Sequence, residues 1–298
     1  MFDIHPRPTP DEEVVVERAT SGQPYRGKVF AAIQPHADDV PLYCAGTVAK
    51  LIEEGYTGYL IQTTNDENCG PTASIGETIL SNEREVAALT GILGFKRIFN
   101  LGYRNHRMDG DSALELRCRL IFLFRLLKVD TLFTFNPWGH WEENPDHYAT
   151  ASAVEAARWM AGMDKDYPEQ LAAGLVPHTV RERYYWVARH GQPYNRVVDV
   201  GPTIEAKVAA VSVNKAQGPG GSTGSRLKAS LATRGLRLPE LDGDDETADR
   251  QYIRRFVLRP DRELGHAYGL EYAEPFFYFG PEETPDVDDY VKQHAVPL

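Results

Sequence analysis

The stretch from residue 28 to residue 55 sets the strongest limit on how this chain can fold. An apolar run at 29–33 has the length and the β-branched character of a buried strand, and Pro35 interrupts it. Apolar residues then recur at 42, 45, 48, 49 and 52, which is the spacing of one face of an amphipathic helix. Gly55 stands where a left-handed C-cap is expected. A strand that leads through a short turn into a helix is the first half of a βαβ unit.

The same alternation continues along most of the chain. Apolar runs of strand length alternate with helical patterns in the order 59–64, 79–93, 97–101, 113–128, 131–135, 147–161 and 183–188. Strands that alternate with helices of this length indicate a mainly parallel sheet. We therefore predict an α/β fold with a Rossmann-like, mainly parallel sheet, helices on both of its faces and a smaller C-terminal extension.

Composition gives only an approximate division of the chain into segments. Residues 1–27 are rich in proline and acidic residues, and we expect an extended N-terminal arm there. Residues 28–298 are predicted to form a single α/β domain. Within it, a Gly/Ser-rich stretch and an acidic stretch predict a flexible excursion at about 215–250. The acidic part, 242–246, lacks the full spacing of a calcium loop, so a solvated loop is favoured.

The turn after the first predicted strand contains one imidazole and two carboxylates, on His36, Asp38 and Asp39. Adjacent ionised carboxylates repel each other and are costly to bury, but a divalent metal would turn them into ligands. One imidazole, one carboxylate and a second histidine would form a three-ligand zinc site, which leaves one Asp as a general base. Alternatively, His36 is an ordinary buried histidine and the two Asp residues cap the next helix. The turn alone leaves both interpretations open.

A second histidine follows the fourth predicted strand, 131–135. His147 stands near the start of the helix after that strand, beside Pro145 and Asp146. On its own, a histidine in this position is more often structural than a ligand. The carboxyl ends of parallel strands meet at one edge of a sheet, where open α/β sheets bind their ligands. His147 and the acidic turn are therefore expected to meet there, which favours the metal interpretation.

Charge and cysteine content exclude several functions. The formal net charge is −11 at pH 7 and no basic run is present, so no nucleic-acid partner is expected. No run of about 18 apolar residues occurs, so no membrane partner is expected either. The beginning of the sequence has no apolar secretory region. Cys44, Cys69 and Cys118 are too widely spaced for a disulfide framework or a zinc knuckle. We therefore expect a cytoplasmic location.

Two motifs in this order resemble those of a known family. The first is Pro35-His-Ala-Asp-Asp-Val40, followed by a glycine-containing helical pattern at 46–51, and the second is Asn144-Pro-Asp-His147 before a helix. A weaker third match covers 268–276, Tyr-Gly-Leu-Glu-Tyr-Ala-Glu-Pro-Phe. The chain thereby resembles the LmbE-like or PIG-L-type zinc-dependent N-acetylglucosaminyl deacetylases over about 28–190 and this last stretch.

The resemblance implies a role for each matching residue. His36, Asp39 and His147 would hold one zinc ion per chain, and Asp38 would be the general base. A further group must protonate the leaving amine, and His266, just before the third match, is the candidate. The implied activity is zinc-dependent hydrolysis of an amide, by N-deacetylation or a related N-deacylation, on a small polar, amino-sugar-like substrate. Relatives commonly form homo-oligomers, so the resemblance also allows an oligomer.

Three departures from the family pattern concern the substrate. Asn144 stands where the second motif usually begins with His, so it can donate a hydrogen bond but not a proton, and His140 could compensate from the same loop. Asn82 replaces a frequent Arg, and a family Asp after the third strand is replaced by Asn105 or displaced to Asp109. The latter two positions hold the sugar in relatives. We therefore expect zinc chemistry on a substrate other than a simple N-acetylglucosaminide.

Five residues are predicted to contact this substrate, on the loops that follow the third and fourth strands. They are Asn144, His140, Arg104, His106 and Trp138. They are polar, basic or aromatic, as recognition of a small polar molecule requires.

Two other functions are alternatives to amide hydrolysis. A family relative that kept the metal and the pocket but lost turnover would be a small-molecule binding protein, and the change at Asn144 supports that alternative. The presence of Asp38 and of all three ligand residues speaks against it. A nucleotide-binding Rossmann enzyme is disfavoured, because the first strand leads into Gln34-Pro-His36 and not into a glycine-rich phosphate loop.

Overall fold

The alternating pattern folds into the predicted α/β architecture. The structure is a computed structural model that describes residues 7–8, 13–70, 74–281 and 287–297. Its strands are β1 Arg7–Pro8, β2 Val15–Glu17, β3 Val29–Gln34, β4 Thr57–Thr64, β5 Arg97–Tyr103, β6 Thr131–Phe135, β7 Glu182–Trp186, β8 Pro193–Tyr194, β9 Arg196–Asp199 and β10 Ala273–Phe279. Strands β1 and β8 pair with each other, and the others form one eight-stranded sheet.

Helices cover both faces of this sheet. They are α1 Asp39–Tyr43, α2 Ala45–Glu53, α3 Ile75–Leu93, α4 Ala113–Leu127, α5 Pro145–Ala161, α6 Pro168–Ala172, α7 Ile204–Val213, α8 Thr223–Thr233, α9 Asp245–Tyr252, α10 Arg259–Ala267 and α11 Val287–His294. A short π-helical turn, Ile253–Val257, connects α9 to α10. Within the described ranges, none of these helices combines the length and the apolar character that a bilayer crossing needs.

The strand order places the ends of β3 and β6 side by side. The sheet runs β2-β9-β10-β7-β6-β3-β4-β5, and only β10 is antiparallel to its neighbours. From β3 the chain proceeds outward to β4 and β5, and it then returns to the other side of β3 to form β6 and β7. This reversal is a topological switch point, where open α/β sheets form a crevice at the carboxyl ends of the strands.

The central strand is buried on both faces, as parallel strands in α/β folds are. Phe30 and Ala32 pack into the layer formed with α2, α3 and α7, while Ala31 and Ile33 pack into the layer formed with α4 and α5. All four side chains are fully buried. The continuous apolar run at 29–33 therefore reflects a strand with a helix layer on each side.

Helix boundaries differ from the sequence prediction where a cap decides them. The helix predicted from residue 79 begins at Ile75, because the Ser74 hydroxyl accepts a hydrogen bond from the Glu77 N–H. It ends at Gly94, whose φ of +80° is the left-handed conformation that favours glycine. The single helix predicted after the acidic turn is interrupted at Cys44 and forms α1 and α2.

The predicted flexible excursion at about 215–250 contains two packed helices instead, α8 and α9. The Asp244 carboxylate caps α9 by accepting the Thr247 N–H, so the acidic run starts a helix. The Asp249 carboxylate accepts the Ser225 N–H at 2.7 Å, which joins the two helices. Composition alone could not show these contacts. The Asp249–Ser225 hydrogen bond connects residues that are distant in sequence, and the start of α9 depends on the Asp244 cap.

Part of the predicted N-terminal arm joins the sheet. Strand β2 pairs in parallel with β9 at the edge of the sheet. The Glu17 carboxylate binds the buried Lys50 ammonium at 2.9 Å and the Arg196 guanidinium at 2.8 Å. Residues 1–6 and 9–12 lie outside the described residues.

Candidate metal centre

Three predicted ligands converge at the switch point. His36 follows β3, Asp39 begins α1, and His147 lies in the first turn of α5. His36 Nδ1 lies 3.0 Å from His147 Nε2, and Asp39 oxygens lie 3.6 Å from the first nitrogen and 3.7 Å from the second. All three side chains are buried. The imidazole of His36, after β3, and the imidazole of His147, after β6, therefore face each other, and both face the Asp39 carboxylate.

The outer nitrogen of each ring faces a carboxylate of its own. His36 Nε2 lies 3.0 Å from Asp146 Oδ2, and His147 Nδ1 lies 3.1 Å from Glu142 Oε1. These carboxylates place the ring protons on the outer nitrogens, so the inner nitrogens turn lone pairs toward each other and toward Asp39. With both imidazoles neutral, three acceptors would converge there, and a cation, either a proton or a metal ion, would hold them together. The donor set therefore fits a metal ion.

The charges around the site favour a positive centre. Burial lowers the pKa of His36, but hydrogen bonds to Asp146 and Asp39 outweigh burial and raise that pKa well above its usual value. Burial acts to raise the pKa values of Asp146 and Glu142, yet their hydrogen bonds to the imidazoles hold both below the ordinary range. The carboxylates therefore stay ionised and attract either a proton or a metal.

Asp146 also connects the site to the loop that follows β5. Its carboxylate accepts hydrogen bonds from Asn105 Nδ2 at 3.1 Å, from the His106 N–H at 2.7 Å and from the Met108 N–H at 3.3 Å. His106 adopts a left-handed φ of +59° to present its amide. Asp146 lies inside the second motif, but no role was predicted for it from the sequence.

The imidazole of His147 is held from two more sides. Phe135 stacks on it with ring centroids 3.8 Å apart and an interplanar angle of 16°. Glu142, which faces the outer nitrogen, is itself paired with Arg189 at 3.0 Å. No sequence motif indicated Glu142. Its partner, His147, lies five residues later in the chain, and the two side chains meet only when the loop folds back over α5.

Asp38 is free for chemistry. It occupies the N-cap position of α1 but makes no capping hydrogen bond with its side chain, and the Asp39 carboxylate accepts the His36 N–H instead. The alternative in which both Asp residues serve as helix caps is therefore wrong. The Asp38 carboxylate is hydrogen-bonded by its own backbone N–H, and among the described residues no other residue donates to it. Burial and the neighbouring Asp39 raise the pKa of Asp38 to about 7, and His36 partly offsets them.

Residues 31–158 match the family model described as PIG-L: GlcNAc-PI de-N-acetylase. The diacetylchitobiose deacetylase of Thermococcus kodakarensis is 30% identical over 201 residues, which cover 64% of this chain and 71% of that protein. The chain belongs to the PIG-L family. Both motifs of the predicted site lie within the matched region.

Solved structures of the PIG-L fold agree with this assignment. The N,N′-diacetylchitobiose deacetylase of Pyrococcus horikoshii superimposes with a TM-score of 0.67 at 22% identity, over 88% of each chain. The 4-carboxy-2-hydroxymuconate hydratase of Pseudomonas putida superimposes with a TM-score of 0.62 at 14% identity, over 87% of this chain and 99% of that one. Because proteins with different named reactions share this fold, the reaction must be argued from the site.

Three asparagines that depart from the PIG-L pattern have structural partners here. Asn144 caps α5, since its Oδ1 accepts the Asp146 N–H at 3.0 Å. Asn105 donates to the Asp146 carboxylate at 3.1 Å. Asn82 is buried and donates to the Cys69 carbonyl at 2.8 Å. Each amide thus supports a loop of the site.

The other predicted substrate residues are exposed on the loops that follow β5 and β6. Arg104 is exposed and paired with Glu67, and His140 is exposed on the loop before α5. A ring nitrogen of His106 lies within 4.8 Å of the ligating atoms of His36 and Asp146. Trp138 is 57% exposed.

His266 does not join this group. It lies exposed near the end of α10, and no side-chain hydrogen bond or ion pair among the described residues connects it to the metal ligands. Helix α10 packs on β10, so His266 is carried by an element other than those that carry the predicted metal ligands. The candidate general acid from the sequence therefore lacks structural support within one chain.

Proposed function

We propose that this PIG-L family protein is a metal-dependent N-deacylase of a small polar, amino-sugar-like substrate. The observation that carries the proposal is the convergence of His36 Nδ1, His147 Nε2 and the Asp39 carboxylate beside the carboxylate of Asp38, which caps no helix. The amino-sugar class comes from the named deacetylases that the chain is similar to. Exposed aromatic and basic side chains on the loops after β6 and β5, such as Trp138 and Arg104, suit recognition of a sugar-like molecule.

We propose zinc as the metal, held by His36, Asp39 and His147. Two imidazoles and one carboxylate form a donor set typical of catalytic zinc with an open position. A bound divalent ion would supply Lewis-acid chemistry, that is, it would acidify water and polarise an amide carbonyl. Asp146 and Glu142 would orient the two imidazoles by accepting their outer ring protons.

Asp38 is the proposed general base. Its carboxylate would accept the proton of the attacking water, and burial, which raises the pKa of Asp38, favours a group that takes a proton and gives it back. Asn144 cannot donate a proton, and His266 lies outside the contacts of the site. We therefore propose that Asp38 also returns the proton to the leaving amine. A cytoplasmic location, supported by three free thiols, and a homo-oligomer remain predictions.

Elemental analysis of purified variants tests the metal part of the proposal. Wild type should contain about one zinc per chain, and His147→Ala should lose most of it. His266→Ala is the matched control, since it removes an imidazole that lies outside the site and should keep the metal. Equal metal contents in wild type and His147→Ala would refute the site.

A panel of N-acyl amino sugars and other amides tests the chemistry. Asp38→Asn should keep the zinc but lose turnover by about 100-fold or more, because the amide cannot accept the proton. A wild-type protein that binds zinc and ligands from the panel, but hydrolyses none of them, would instead support the binding-protein alternative. The lack of an ionisable group at Asn144 is the observation that keeps this alternative in view.

A further inference from the structure

The segment after α7 lies directly on the turn that carries Asp38. Asn214 Nδ2 donates a hydrogen bond to the Ala37 carbonyl at 3.1 Å, and both residues are buried. Four residues later, Gly218 packs against Asp38 so closely that a Cβ at Gly218 would lie 3.2 Å from both Asp38 Cβ and Asp38 Oδ2. The segment 214–218 therefore borders the carboxylate and the peptide just before it.

Helix α3 holds this segment in place. The Glu85 carboxylate accepts the N–H groups of Lys215 and Ala216, each at 3.0 Å. Gln217 Nε2 donates to Asn82 Oδ1 at 3.1 Å, one turn earlier on the same helix. Three consecutive residues are thus tied to α3, so the next residue, Gly218, reaches Asp38 in a defined position.

Two independent features require glycine at position 218. Its φ of +83° is a left-handed conformation that side chains rarely adopt. Its neighbour is a carboxylate, and a methyl group at this position would force that carboxylate to shift or would cover its oxygen. Gly218 therefore leaves the space next to Asp38 Oδ2 empty, on the side where this segment borders the site.

We propose that the segment 214–218, fixed by Glu85, is a positioning element for Asp38, and that Gly218 is a positioning residue for the reaction. This inference rests on the proposed role of Asp38 as general base. Glu85 fixes the backbone, the backbone presents Gly218, and the bare Cα of Gly218 lets the carboxylate keep the orientation in which it meets the attacking water. None of these residues touches the metal ligands through its side chain among the contacts that the structure describes.

A pair of glycine substitutions tests this role. Gly218→Ala adds a methyl group beside Asp38, whereas Gly235→Ala adds one at a φ of +67° with no atom within 4 Å of the new Cβ. Both variants place a methyl group on a backbone with a left-handed φ, +83° at Gly218 and +67° at Gly235, and in Gly218→Ala the methyl group also contacts Asp38. We expect kcat to fall about tenfold or more in Gly218→Ala, with KM changed less than about threefold and zinc content unchanged. Gly235→Ala should behave as wild type.

Equal kcat values in Gly218→Ala and Gly235→Ala would overturn the proposal, as would a loss that appears only in KM or in zinc content. Turnover that is absent in wild type would instead refute the proposed function. Asp38→Asn, measured beside these variants, shows whether turnover depends on that carboxylate at all. The failure of the inference and the failure of the proposed function are therefore distinguishable.

Hydrogen exchange tests the attachment of the segment without any activity. In Glu85→Ala, the Ala216 amide loses its acceptor and the Lys215 amide keeps only the Val213 carbonyl at 2.9 Å. We expect both amides to exchange faster, the Ala216 amide by about tenfold or more. Glu83→Ala is the control, because Glu83 is an exposed carboxylate on the same helix. Unchanged exchange of these two amides in Glu85→Ala would show that Glu85 does not hold the segment, which would overturn the proposal whatever the protein hydrolyses.

Discussion

Lys207 joins four elements through two buried ion pairs, and its removal should destabilise the whole fold. Its ammonium lies 2.7 Å from Glu274 Oε1 on β10 and 2.7 Å from Asp261 Oδ2 on α10. Glu274 in turn accepts the N–H groups of Gly46 at 3.0 Å and of Thr47 at 2.8 Å, in the first turn of α2. The Lys207 and Glu274 side chains are completely buried. Lys207→Met keeps an unbranched side chain, one heavy atom shorter than lysine, and removes the ammonium together with its hydrogen bonds.

The expected loss follows from this geometry. Two opposite charges 2.7 Å apart attract each other by about 6 kcal/mol at an effective dielectric constant of about 20. Taking each ion out of water costs several kcal/mol, so most of that attraction is offset in wild type. Without Lys207 the carboxylates keep their desolvation cost and lose their partner. We expect the free energy of unfolding to fall by about 3–5 kcal/mol near neutral pH.

The loss should depend on pH with a definite sign. Burial raises the pKa of Asp261 to about 6, although Lys207 lowers it. A carboxyl group whose pKa is raised by folding contributes stability that is present below its unfolded pKa and is lost as pH rises through the folded one. Without Lys207 this folded pKa rises further. The difference in the free energy of unfolding between wild type and Lys207→Met should therefore be smaller near pH 5 than above about pH 7.

Urea unfolding at about pH 5 and about pH 8 measures both quantities. With an m value of about 3 kcal/mol per molar urea, the midpoint should fall by about 1 M or more at the higher pH. Lys228→Met is the matched control: that ammonium pairs with an exposed Asp245, so its removal should cost less than about 1 kcal/mol. A loss below about 1 kcal/mol in Lys207→Met, or a large loss that is equal at both pH values, would refute the reasoning.

Three further substitutions test contacts at and around the site. Asp146→Asn weakens the orientation of His36 and should reduce zinc affinity or turnover by about 10- to 100-fold, measured by competition with a chelator and by steady-state kinetics. Asn144→Ala removes the cap of α5 and should cost about 1 kcal/mol in urea unfolding. Arg125→Met removes a buried guanidinium that donates to the carbonyls of Ala161 and Met163 at the end of α5. It should cost about 3 kcal/mol or more in the same assay.

Each of these substitutions has a control. Asp109→Asn changes an exposed carboxylate in the loop after β5, whose backbone binds Asp146, and should leave zinc affinity unchanged. Asn144→Ser keeps a capping oxygen and should recover most of the stability lost in the alanine variant. Arg119→Met removes an exposed guanidinium from α4 and should cost less than about 1 kcal/mol. A control that loses as much as its partner would contradict the role assigned to that contact.

The sequence specified the fold class and the residues of the candidate metal centre because both depend on short-range patterns. The apolar run at 29–33, the strand at 131–135 and the helices between the strands follow from periodicity within a few residues. The motifs around His36 and His147 each follow a predicted strand, so the rule that parallel strands end at one edge was enough to place them together. The shift of α3 to Ile75 shows the limit of periodicity, since the Ser74 cap set that boundary.

Contacts between distant residues remained hidden for a physical reason. The outer nitrogen of His36 meets Asp146, 110 residues away, and no periodicity or turn rule relates the two positions. The same holds for Lys207 and Glu274, and for Glu85 with the backbone after α7. A Gly/Ser-rich composition predicted flexibility, yet these pairings hold part of that segment against Asp38.

For this protein the sequence by itself determined the architecture, the two motifs and the kind of chemistry, because propensity and residue type act locally. Only the tertiary structure decided which carboxylates orient the imidazoles, that His266 stays at the surface and that Gly218 borders Asp38. Those outcomes depend on how strand order and helix packing bring remote side chains to the same point. Many long-range contacts together fix the strand order and the helix packing. No single stretch of sequence does so.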